Sequence, residues 1–148
     1  MGSLNADGSG WTPPPLGTGP GRSPWRWPLA VASVVAAAAA HVPVVSPHLH
    51  EAPYMGVLFV LLTAACLLLA VAVLTVDSPA VYLAAATVCG LAVVGYAATR
   101  LVAFPQLADD VDDWFEPLGV LAVLAEMSVV TVAAFALRRG WDEAPRVA

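Results

Sequence analysis

Between Tyr54 and Val76 the chain runs for 23 residues without a single charged side chain. As a helix, that run rises about 34 Å at about 1.5 Å per residue, enough to cross a hydrocarbon core of about 30 Å. Composition rules out hiding such a segment inside one soluble domain, because 59% of the 148 residues are hydrophobic and only 11% are charged. The chain is therefore expected to be an integral membrane protein.

The remaining apolar segments follow from their boundaries. Asp77, Ser78 and Pro79 end the first run, and so short a turn makes the next segment, residues 80–104, return antiparallel. After an acidic connection, Pro117 occupies the first turn of a further segment, residues 118–137, where its missing N–H costs nothing. Arg138 and Arg139 end that segment. Near the start, Trp25, Arg26 and Trp27 suit the headgroup layer and lead into residues 28–45, which reach about 27 Å as a helix. Ala38 and Ala40 also satisfy the small-residue rule for signal cleavage before His41, but apolar residues Val42, Val44 and Val45 continue past that point. The expected fold is all-α, a four-helix transmembrane bundle over residues 25–139. A Gly/Pro-rich disordered tail, residues 1–24, precedes it, and a short tail, residues 140–148, follows.

Orientation comes from arginine. The chain has no lysine, and five of its six arginines (Arg22, Arg26, Arg138, Arg139, Arg146) lie near the termini. Positive charge stays on the cytoplasmic side, which places both termini inside, the connections after His41 and after Val102 outside, and the protein in the cytoplasmic membrane as a multi-pass chain. An even number of spans agrees with this.

Lipid tails give helices no apolar reason to associate, so small residues and hidden polar groups must hold them together. Ala86, Gly90 and Ala97 share one face of the third segment, and Gly119, Ala122, Glu126 and Ala133 share one face of the fourth. Glu126 lies about 14 Å inside its helix, where a carboxylate must be protonated or paired and must face protein or water. It is either a proton-carrying or ligand-contacting acid, or a neutral acid bonded between helices. Cys89, Tyr96 and Arg100 form a second inward stripe, with Arg100 in reach of Glu51 or Glu116 as an ion pair or of an anion in an outward cavity.

All three histidines fall in HVPVVSPHLHEAPYMG, expected to be a loop at the membrane surface. There His41, His48, His50 and Glu51 are candidate ligands for a transition metal, Cu or Zn, since neutral imidazole suits both; otherwise they are ordinary loop side chains. Tyr54, Tyr96, Arg100, Glu116 and Glu126 complete the polar residues assigned to this mouth and the span beneath it. The connection after Arg100 repeats Leu107, Val111, Trp114 and Leu118 at helical spacing, the pattern of a short amphipathic helix. Cys66 and Cys89 are expected to be reduced core residues; no CxxC, phosphate-binding glycine loop, Ser elbow or HExxH helix is present. No basic patch suggests nucleic acid.

HLHEAPYMGVLF, RLVAFPQLADDVDDWFEPLG and Glu126 together resemble an uncharacterised family of small four-span bacterial membrane proteins, mostly from high-GC Gram-positive organisms. The resemblance covers about residues 28–138. It implies a fold and a membrane address and carries no activity or site residue with it.

The function read from these features is non-enzymatic: a small membrane protein binding a transition metal or a proton-coupled solute at an outward polar mouth. The alternative is a non-catalytic accessory subunit packing against a larger complex. Partners are membrane lipid and either further copies of the chain or that larger complex. Topology is testable separately: cysteine probes at Ser3 and Asp142 should be shielded in intact cells while probes at Ser46 or Asp110 react, and labelling of Ser3 from outside would refute the arrangement.

Overall fold

The computed structural model describes residues 24–142; the tail before Pro24 and residues 143–148 lie outside the described residues. Regular structure within the described part is entirely helical. In chain order it comprises α1 (Arg26–Val35), a π-helical segment (Ala36–His41), α2 (Val42–Glu51), α3 (Pro53–Thr75), α4 (Pro79–Leu101), a 3-10 turn (Ala108–Asp110) and α5 (Pro117–Asp142). α3, α4 and residues Pro117–Arg139 of α5 are each long and apolar enough to cross a membrane. The fold is all-α, with the length and composition of a polytopic membrane protein.

One expectation is corrected at once. The stretch from His41 to Gly56 is not a loop, because helix continues through α2 to Glu51 and resumes at Pro53 after Ala52 alone. Pro43 sits at the start of α2 and Pro47 inside it. Neither can donate a backbone hydrogen bond, and each ring crowds the carbonyl four residues earlier. In this chain the outcome is a widened π turn just before Pro43 rather than a helix end.

Burial is distributed as lipid packing requires. Large apolar side chains such as Leu68, Leu91 and Leu124 are exposed, whereas the buried set includes Ala30, Ser33, Ala36, Cys66, Ala70, Ala85, Cys89 and Ala133. Small side chains let backbones approach, and the exposed Leu and Val suit hydrocarbon. α4 packs most extensively on α5, while α1 lies on α3 and α5, and α2 lies chiefly on α3. Gly90 has open space where a Cβ would stand, so the close approach expected along Ala86, Gly90 and Ala97 does not occur there.

The two ends differ. At one, Arg26 donates to the Leu74 carbonyl at 3.4 Å, placing a cation at the C-terminus of α3 where the helix dipole favours it. Asp77 turns the chain there with φ 46°, a left-handed conformation that Asp tolerates better than most residues, and Tyr82 donates to its carboxylate at 2.7 Å. Trp25 packs edge-on to Phe135 with ring centroids 4.8 Å apart. At the other end the Tyr54 hydroxyl donates to the Pro105 carbonyl at 2.6 Å, joining the start of α3 to the acidic connection. Both connections expected on one side are therefore on one side.

α2 and α3 approach closely at Gly56, where an added Cβ would stand 2.7 Å from the Leu49 side chain and 2.8 Å from its backbone nitrogen. Backbone cannot yield as a flexible side chain can. Gly56→Ala should lower thermal stability in detergent by about 1–3 kcal/mol, the usual range for overpacking, and an unchanged melting curve would contradict this contact.

Candidate functional site

Glu126 is 2% exposed and His41 is 3% exposed, and His41 Nε2 stands 3.1 Å from Glu126 Oε1. These are the two polar side chains that the apolar segments can least afford to leave alone, since an unpaired charge in low dielectric costs several kcal/mol. Glu126 reaches the interior because Glu126, Val129 and Ala133 share one helix face, all buried.

His41 arrives by a less regular route. The buried line of the first helical segment is Leu29, Ser33, Ala36 and Ala40, and in unbroken α geometry His41 would lie about 120° round from Leu29 at about 100° per residue. The π turn bonds each residue one position further along the chain and so advances less per residue. It swings His41 back toward the buried line and onto α5.

The contact is close but not well aligned. Neither His41 Nε2 nor Glu126 Oε1 meets hydrogen-bond geometry, and His41 Nδ1 is also buried without a partner. The 3.1 Å separation is therefore an electrostatic contact with room to tighten. Behind it, the Cys66 and Cys89 thiols, on α3 and α4, are within hydrogen-bonding reach of each other and in the field of Glu126. Both are free thiols.

On the α3 side, Phe59 stacks on His41 with centroids 5.7 Å apart and rings 21° from parallel. His48 meets the same ring edge-on at 5.0 Å. The His48 Nδ1 lies 2.9 Å from the Val44 carbonyl; a carbonyl only accepts, so Nδ1 carries a hydrogen, which in the neutral ring leaves the lone pair on Nε2. His50 and Glu51 are exposed at the end of α2.

Of the four candidate metal ligands, His41 and His48 thus share the face that meets Phe59, whereas His50 and Glu51 are exposed at the end of α2. Among the described residues no group of three or more His, Cys, Asp or Glu side chains is placed to hold a metal ion.

The acidic connection closes the same end. Arg100, 5% exposed, donates from Nη1 to the Asp110 carbonyl at 3.0 Å and lies 3.3 Å from the Asp110 carboxylate. Its expected partners, Glu51 and Glu116, are replaced by an aspartate within the connection itself. The guanidinium also stacks on the Tyr96 ring at 4.6 Å, and the Tyr96 hydroxyl donates to the Trp114 carbonyl at 2.9 Å. Glu116 accepts from the backbone N–H groups of Leu118 and Gly119 and so caps α5. The amphipathic helix expected from Leu107 to Leu118 is only the turn Ala108–Asp110; Gln106 and Asp112, both at positive φ, break it on either side. Leu107 is buried, but Trp114 and Phe115 are exposed.

Sequence reasoning misses Phe59, Asp110 and the meeting of Cys66 with Cys89. The seven-residue step between His41 and His48 is the available signal, since it keeps two side chains on one helix face.

Searches against known protein families, curated proteins and solved structures give no match to this chain.

If His41 and Glu126 interact as a unit, their substitutions should not be additive. A double-mutant cycle with His41→Phe and Glu126→Leu should give a coupling energy of about 0.5–3 kcal/mol in detergent unfolding, and additive effects would show that the two side chains do not sense each other.

Proposed function

We propose that the protein is a four-helix bundle spanning the cytoplasmic membrane, with both termini inside, of the small bacterial kind that its sequence resembles. In this reading the segment from Arg26 to Glu51 is the fourth span, and the end bearing the acidic connection faces outward. The His41–Glu126 pair binds a proton taken from that side, and a small solute enters with it.

The carrying observation is the buried pair itself. Counting rise per residue, Glu126 lies about 14 Å from the start of α5 and His41 about 15 Å from the end of α2, so two helices independently put the groups at one depth. A carboxylate and an imidazole together hold a single proton at zero net charge, whether as ion pair or as neutral acid and base. Adding or removing one proton leaves a net charge in a low-dielectric setting, which favours entry of a compensating charge. That is a physical basis for coupling proton to solute.

Proton uptake after an acid pulse, measured with an indicator dye on protein in lipid nanodiscs, tests this reading. Glu126→Gln should take up one proton fewer per chain than the parent, whereas equal uptake would remove the basis for the proposal.

A further inference from the structure

Resting on that reading, we infer that the proton reaches Glu126 along a file of rings, entering at His48 on α2 and passing to His41 at the end of the π turn, with Phe59 of α3 as the gate between them.

Seven residues of helix rise about 10.5 Å. The ring separations from Phe59, 5.7 Å to His41 and 5.0 Å to His48, together match that span. The benzene ring touches both imidazoles and is placed to interrupt what would otherwise be a chain of titratable groups. Tyr54 and Cys66 are the titratable side chains of α3; from α5 the facing charge is Glu126, with the Cys89 thiol of α4 beside it.

The atoms balance along this file. His48 keeps its Nδ1 hydrogen on the Val44 carbonyl and accepts a proton from water at Nε2. When Phe59 turns aside, water admitted between the rings relays that Nε2–H to His41 Nδ1, which is buried and unpartnered and accepts it in the tautomer that carries its hydrogen on Nε2. His41 then releases its Nε2 hydrogen to the Glu126 carboxylate 3.1 Å away. The net result is neutral His48, neutral His41 with its hydrogen moved from Nε2 to Nδ1, and a protonated Glu126. Each imidazole is cationic only while it holds the transferred proton and is neutral again once it has passed it on.

Packing favours entry from this end. Leu29, Ala30, Ser33, Ala36 and Ala40 bury the first helical segment on the Arg26 side of His41, whereas α2, on the His48 side, contributes no buried residue. His48 itself is half-buried at the end of the file.

Time-resolved infrared spectroscopy of nanodisc-embedded protein after a pH jump would follow the Glu126 carboxyl band, identified by its loss in Glu126→Gln. In His48→Ala and His48→Gln the band should rise roughly a hundredfold more slowly, the low end of what a positioned acid–base group contributes. In Phe59→Leu, and more so in Phe59→Ala, it should rise faster than in the parent. Circular dichroism establishes that each variant is folded, and Gln and Leu serve where Ala does not fold. Parent-like rates in the His48 variants, with the band present, would overturn this route and leave the proton-binding pair standing. Parent-like or slower rates in the Phe59 variants would overturn the gate. Absence of any Glu126 band in the parent would overturn the pair and the route together.

Discussion

A carboxylate and an imidazole held 3.1 Å apart, each almost wholly removed from solvent, set the terms for the rest of the molecule. Either group alone among apolar helices would be several kcal/mol out of place. Each needs the other. The requirement fixes the rotation of α5, which must turn the Glu126, Val129 and Ala133 face inward, and of the first helical segment, which must depart from α geometry to present His41. Even the free cysteines fall into this arrangement, because the weakly polar thiols of Cys66 and Cys89 occupy the interior close to the acid.

Such a pair could not be held by apolar packing of the kind that closes a soluble core. With Leu and Val turned outward, close approach is what remains. Among the described residues it occurs at two glycines with different jobs: Gly56 lets α2 ride on α3 against Leu49, and Gly119 makes room for the Tyr96 ring and the capping Glu116 carboxylate. The second contact ties the end of α4 to the start of α5, where Arg100 and Tyr96 also fasten the acidic connection through backbone carbonyls of Asp110 and Trp114. Carbonyls can be used by any sequence, which explains why the negative charge of that connection is mostly exposed rather than consumed in pairing.

Helix position and inward faces are legible from sequence because they depend on local properties. An uncharged run, a turn of Asp77, Ser78 and Pro79, and the four-residue rhythm around Glu126 each carry their own signal. The surface loop expected between His41 and Pro53 is helix instead, for a reason that no local pattern holds. Two prolines ordinarily end a helix, and whether the chain breaks or widens into a π turn depends on what the neighbouring helices offer in return. The partner that rewards widening, Glu126, lies 85 positions away in the chain. Arg100 shows the same limit at shorter range: helical spacing shows that it points inward, yet its partner, Asp110, depends on left-handed residues at Gln106 and Asp112 that no periodicity reveals.

The π turn also separates two regimes along a single helical segment. Before it the helix is seated, with Leu29, Ser33 and Ala36 buried among α3 and α5, and Arg26 and Trp25 anchored at its end. After it, α2 lies chiefly on α3 and buries nothing. A half with buried side chains and a half with none thus meet at His41, and the misaligned contact with Glu126 sits at the junction. A small shift of either side chain would align it. A helix that was regular throughout would hold the imidazole rigidly or turn it away; one that broke at Pro43 would lose it to solvent. Widening by one residue leaves the imidazole buried, adjacent to its acid, and mechanically linked to the end of the molecule at which His48 stands.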